Sequence, residues 1–245
     1  MTTQKMLAYL RRAVTDYRMI RSGDRIAVGI SGGKDSLTLL TLLKAYQRFS
    51  PETFELTAVT IDMGFEEDAF REIKQYCDQL NVPYRIVKTD IAKILFEERK
   101  EKNPCSLCSK MRRGALNSAI MEMGYNKLAL GHHSDDVLET FLLSFFYEGR
   151  LNTFAPVSYM SRSGVTLIRP LIYTEEKDIR AYAKDLPVYR NPCPKDHHTQ
   201  REYMKQLLKE IQKEIPFAKE RACGAIMHPE RYHLWDGIAE KENDE

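Results

Sequence analysis

The sequence predicts a doubly wound α/β fold on a five-stranded parallel sheet, and three observations predict it. Strand-like apolar runs alternate with helix-period segments along most of the 245 residues. The first run, with Ile26, Val28 and Ile30, stops at Ser31-Gly32-Gly33 and re-enters as a helix carrying Leu37, Leu39, Leu40, Leu42 and Leu43. The polar signals all fall just after strands, which in such a sheet gathers them beyond the carboxyl ends on one edge.

Taken in order, Met6, Leu7, Leu10, Val14, Tyr17 and Ile20 recur at helical spacing and predict an amphipathic helix over residues 3–20. Ser22-Gly23-Asp24 breaks it before the first strand, residues 25–30. A second strand is expected over 54–62, with Leu56, Val59 and Ile61, and a helix over 66–80. Pro83 precedes a third strand over 84–90, and the charged residues 91–104 read as irregular. A helix runs from Cys105 to Met123 and stops at Gly124. The fourth strand is expected over 127–131, with its helix over 135–147. Residues 151–164 read as a long loop and 165–172 as the fifth strand, and helices are expected over 175–184 and 200–214. The expected organisation is one domain: an N-terminal helix (1–22), an α/β core (24–190) and a C-terminal helical extension (191–245).

Composition is that of a soluble globular protein, 43% hydrophobic and 29% charged. No apolar run reaches the length of a membrane span and no apolar signal core is present, so a cytoplasmic protein with no membrane partner is expected. Net charge is only +2, but residues 1–25 carry six basic against two acidic side chains, compatible with contact to an RNA backbone. Residues 240–245 are acidic. Five cysteines, two of them as C-x-x-C, suit a metal site better than a disulfide framework.

The glycine turn carries the first chemistry. A strand that ends at two glycines and opens a helix leaves backbone N–H groups and a helix dipole for a phosphate. Gly32 and Gly33 permit close approach, Lys34 supplies charge, and Ser31 and Ser36 supply hydroxyls. The loop of ordinary ATPases has a Gly where Val28 stands and a Ser or Thr where Asp35 stands. An acid inside a phosphate cradle calls for a cation such as Mg²⁺ between them.

After the fourth strand come Gly131-His132-His133-Ser134-Asp135-Asp136. Helix capping accounts for one acid; two adjacent carboxylates beside a triphosphate also suit Mg²⁺. Cys105 and Cys108 open a helix, where the dipole favours thiolates, and Cys193 after the fifth strand is the expected third ligand. With His197 or His198 this makes a Cys₃His zinc site; with the three cysteines alone it makes a [4Fe–4S] site with one open iron. Spacing does not separate the two. Cys77 and Cys223 read as structural.

SGGKDS resembles the PP-loop of the N-type ATP pyrophosphatases (adenine nucleotide alpha hydrolase-like proteins), which cleave ATP between its α and β phosphates and adenylate a substrate. Together with CSLCSKMRRG, LALGHHSDDVLET, LIRPLIY before EEKDI, and Pro192-Cys193, the chain is similar to the tRNA 2-thiocytidine synthetase (TtcA) family over nearly its whole length. One departure is Asp196, where that family usually has another cysteine. The resemblance implies a [4Fe–4S] cluster on Cys105, Cys108 and Cys193. It further implies ATP phosphates on Ser31 to Ser36, with Asp62 near the ribose or adenine, and Gly131 and His132 beside the nucleotide. Lys34, Asp35, Asp135, Asp136 and Arg112 are then the expected catalytic set, with Mg²⁺ near the two later acids. The implied reaction is adenylation of a cytidine C2 carbonyl in the anticodon loop, then sulfur transfer giving 2-thiocytidine. The implied partners are tRNA and a sulfur donor such as a cysteine desulfurase, with a homodimer left open. A PP-loop enzyme acting on another tRNA base or a small carbonyl substrate, or a zinc-stabilised nucleotide-binding protein, are the alternatives.

Overall fold

The computed structural model describes residues 1–65, 70–99, 104–189 and 200–232. Strands β1 (Asp24–Gly29), β2 (Phe54–Asp62), β3 (Tyr84–Lys88), β4 (Lys127–Ala129), β5 (Val157–Met160) and β6 (Val165–Ile168) form one sheet in the order β3-β2-β1-β4-β6-β5. All neighbours are parallel except β5, which runs antiparallel to β6. The helices are α1 (Thr3–Asp16), α2 (Lys34–Tyr46), α3 (Arg71–Gln79), α4 (Ile91–Lys93), α5 (Pro104–Glu122), α6 (Ser134–Glu148), α7 (Glu176–Tyr182), α8 (Gln200–Glu214) and α9 (Ala218–Met227). The chain leaves β1 toward β2 on one side and later fills β4 on the other. That reversal opens a crevice at the carboxyl ends of β1 and β4, where open α/β sheets bind ligands.

The sheet has six strands rather than the expected five, and it is not wholly parallel. Residues 157–160, expected within a long loop, form the edge strand β5, paired Val157↔Ile168 to Met160↔Val165. Four residues with Tyr159 facing solvent give too short an alternation to announce a strand. The turn closes where the N–H groups of Ser163 and Gly164 donate to the Met160 carbonyl, with Gly164 at φ +68°. The fifth expected strand ends at Ile168, not 172, because Pro170 has no N–H for a ladder. Residues 91–98, expected to be irregular, coil into α4 and one π-type turn (Ile94–Glu98) that buries Ile91, Ala92 and Leu95. The first helix ends at Asp16 rather than residue 20, and α9 was not foreseen.

The larger core lies on the face covered by α1 and α2, with Met6, Leu10, Leu37, Leu40 and Ile26 fully buried. The other face holds a smaller cluster of Ala27, Val59, Ile120, Leu128, Val165 and Leu167, packed by Leu116 of α5 and by Met123 just after it. This lighter cover leaves room for a cavity. Among the described residues no helix is long and apolar enough to cross a membrane.

Candidate active site

At the end of β1 the chain turns through Gly32, at φ +84°, where a Cβ would meet Tyr189 Cβ at 2.9 Å. The Tyr189 N–H donates to the Gly32 carbonyl at 2.9 Å, so the chain after α7 closes over this turn. Ser36 Oγ donates to the Gly33 carbonyl (2.9 Å) and accepts from Ser31 N–H (3.2 Å), fixing the loop around the start of α2. No side chain caps α2. Its first-turn N–H groups are therefore available to an anion.

Lys34 Nζ lies 3.1 Å from Asp35 and 3.2 Å from Glu176 Oε1. Burial disfavours the ammonium, but the two acids outweigh it and hold the Lys34 pKa above its ordinary value. Glu176 also binds Lys205 at 2.8 Å and Arg180 at 3.1 Å. Burial alone would raise this carboxyl; Lys205 and Lys34 instead take it down to about 2.

Gly131 presses its backbone on the start of α2: a Cβ there would stand 2.9 Å from the Asp35 carbonyl carbon and oxygen. His133 is the N-cap residue of α6, and its N–H donates to Asp136 Oδ2 at 3.0 Å. His133 Nε2 also lies 3.7 Å from Asp35 Oδ1. The His132 ring packs on Phe154 (5.0 Å), and burial, helped by Arg169, Arg201 and His133 against the pull of Asp136, pushes it down to about 4. His132 is therefore neutral at physiological pH.

The two adjacent acids diverge. Asp135 is buried, accepting from Glu176 N–H and Lys219 Nζ, each at 2.7 Å. Burial opposes its charge, yet these donors keep its pKa below the ordinary value. It faces a second cavity between α6 and α9, whereas Asp136 faces the crevice.

That crevice is a cavity of about 510 Å³. The glycine-turn side contributes Ser31, Asp35 and Ser36, the α6 side Gly131, His132 and Asp136, and α5 contributes Ser109, Arg112 and Arg113. Cys105 and Cys108 occupy the first turn of α5, directly before Ser109, and Cys105 is exposed. Cys108 Sγ lies 3.7 Å from Met63 Sδ, just beyond β2. Asp62, at the end of β2, accepts from Gly64 N–H at 2.9 Å and stands outside the cavity lining. Cys193, His197 and His198 lie outside the described residues. Buried Cys77, its thiol pushed up to about 11 by burial, and Cys223, pushed up to about 12, lie away from this lining.

A PP-loop domain family model matches residues 3–211. The tRNA-cytidine(32) 2-sulfurtransferase of Pelobacter propionicus is 40% identical over 230 residues, covering 92% of this chain and 86% of the relative. The chain belongs to the tRNA 2-thiocytidine synthetase family of PP-loop proteins. The Geobacter sulfurreducens tRNA-cytidine(32) 2-sulfurtransferase is also 40% identical, with 92% and 90% covered. Among solved structures, the U34-tRNA thiolase NcsA from Methanococcus maripaludis with its [4Fe–4S] cluster superposes with a TM-score of 0.75 at 25% identity, covering 94% of this chain and 79% of that one.

For a member of this family, sequence reasoning missed Glu176, Arg169 and Arg113. Glu176 reads as an ordinary first-turn acid because its partner Lys34 is remote in sequence. Arg113 was overshadowed by Arg112. For Arg169 a signal existed: a lone arginine inside the apolar run Leu167-Ile168-Arg169-Pro170-Leu171-Ile172.

Proposed function

We propose that this chain is an ATP-dependent sulfurtransferase that converts cytidine 32 of tRNA to 2-thiocytidine. The carrying observation is one cavity lined both by the glycine turn after β1 and by the helix turn that follows Cys105 and Cys108. The names of the two bacterial relatives support the substrate.

In this reading the α2 N–H groups, Ser31, Ser36 and Lys34 hold the ATP phosphates, and Asp62 lies toward the ribose or adenine. Asp136, together with Asp35, is the Mg²⁺ ligand, since both residues line the cavity; Asp135 instead anchors α7 and α9. The cytidine O2 forms a bond to the α-phosphorus as the bond to pyrophosphate breaks. Negative charge grows on the phosphates at this point, and Lys34 and the first turn of α2 stabilise it. O2 is thereby turned into part of a good leaving group, AMP. Arg112, half-buried on the cavity wall, is placed to contact the nucleotide.

The residues present fit an iron–sulfur group in kind. Two thiols share one helix turn beside a third soft sulfur, Met63 Sδ. Tyr189, the last described residue before Cys193, is tied to Gly32 of the glycine turn. Cys105, Cys108 and Cys193 would hold the [4Fe–4S] cluster, which when bound supplies the sulfur that replaces O2 at C2. A cysteine desulfurase is the proposed source of that sulfur. An accessible loop base, rather than a stacked duplex base, suits such a cavity.

The test is a reaction with purified, anaerobically reconstituted protein, ATP, Mg²⁺, sulfide and unmodified tRNA, read by mass spectrometry of nucleosides. Formation of 2-thiocytidine at position 32, with AMP and pyrophosphate, is expected. ADP as product, or thiolation of a different base only, contradicts the proposal.

A further inference from the structure

We infer that Arg169, with His132 beside it, forms a second phosphate contact in the cavity, separate from the glycine turn. The inference rests on the thiolase reading for the identity of the phosphate, and on the following geometry for its place. Arg169 is only 7% exposed, yet among the described residues no carboxylate lies within ion-pair distance of it. Its Nη1 donates to the Ala155 carbonyl and reaches Ser158 Oγ at 3.3 Å, and its guanidinium lies 4.7 Å over the Phe154 ring. The Nε–H is buried with no acceptor among the described residues, and the residue lines the cavity.

A buried charge with no counter-charge is costly, and no described carboxylate supplies one here. Burial takes the Arg169 pKa down to about 10, so the group is still charged at neutral pH. His132 packs on the same Phe154, and its Nδ1 is likewise buried and unpartnered on the cavity wall. The two acids on the lining are already engaged: Asp136 accepts from the His133 N–H and lies 3.8 Å from Arg201, and Asp35 lies 3.1 Å from Lys34. Arg169 and His132 thus both line the cavity, each with one buried nitrogen that no described residue partners. An anionic phosphate oxygen satisfies Arg169, through the charge-assisted bonds at which guanidinium excels. Two sources exist in the proposed reaction: the α-phosphate of the nucleotide and a backbone phosphate of the RNA.

Full-length protein carrying Arg169→Met keeps packing against Phe154 and removes the charge; Arg169→Lys keeps the charge and loses the planar donors. Melting temperature is measured with dissociation constants for AMP, α,β-methylene ATP and an unmodified anticodon stem–loop RNA. Arg169→Met is expected to melt at or above the wild-type temperature, because an uncompensated charge is gone. It should lose about tenfold or more in affinity in one arm, with Arg169→Lys intermediate. Loss in the nucleotide arm assigns the α-phosphate; loss in the RNA arm alone assigns the backbone. Affinities within about twofold of wild type in both arms overturn the inference while leaving the thiolase reading intact. Wild-type protein that binds neither nucleotide nor RNA overturns both. Should Arg169→Met not fold, Arg169→Lys decides: weaker binding at unchanged melting temperature supports the contact, and unchanged binding overturns it.

Discussion

Replacing Glu176 with Gln tests whether charge, rather than shape, fastens α7 to the glycine turn. The Glu176 side chain is 12% exposed and meets Lys34, Lys205 and Arg180 at 3.2, 2.8 and 3.1 Å. Its pKa falls from the ordinary 4.5 to about 2 in the folded protein. A carboxyl depressed on folding contributes its full stabilisation above the unfolded value and loses it as pH falls toward the folded value. Over that interval the difference is worth about 3 kcal/mol at neutral pH, and about 2 kcal/mol at a pH of about 3.5. The assay is urea-induced unfolding of wild type and Glu176→Gln from about pH 7 down to about pH 3.5, both fitted as two-state. The stability gap should be widest near neutrality, hold above the unfolded pKa, and narrow by about 1 kcal/mol by the acid end. A gap that does not change with pH would mean that Gln disturbs packing alone. No gap at all would mean that the three cations gain nothing from the carboxylate.

Six other substitutions test the same geometry. Gly131→Ala puts a methyl 2.9 Å from the Asp35 backbone, so calorimetry should show a loss of about 1–3 kcal/mol together with weaker ATP binding. Gly114→Ala, at an α5 position with open space around it, should instead stabilise by about 0.5–1 kcal/mol. Asp135→Asn leaves Lys219 without its partner and should cost about 1–3 kcal/mol in chemical denaturation, whereas Asp136→Asn should leave stability nearly unchanged and raise the Mg²⁺ requirement of ATP binding. Cys105→Ser and Cys108→Ser should each abolish 2-thiocytidine formation and lower bound iron on elemental analysis, with ATP binding retained.

Most of the scaffold was legible because its signals are local. Helix α8 was read to the residue, and the β1–glycine–α2 unit nearly so, since leucine spacing and a two-glycine break both occur within one short window. The missed strand β5 had no such window: its four residues gain their strand character only from pairing with β6. Within the site, residues adjacent in sequence could be grouped, but not told apart. Asp135 and Asp136 are neighbours, yet the helical turn of α6 sends one to Lys219 and the other to the cavity. Glu176 and Arg169 stayed hidden for a different reason. Their importance lies in partners, present or missing, that only the folded chain brings near.

The central claim is that a nucleotide and a sulfur source act in turn on one carbon of one base. Its most direct measurement uses tRNA labelled with oxygen-18 at O2 of cytidine, thiolated by the reconstituted protein, with the AMP analysed by mass spectrometry. The account predicts one labelled oxygen in AMP for each 2-thiocytidine formed. Unlabelled AMP alongside 2-thiocytidine would contradict it, because the α-phosphate would never have been bonded to the base.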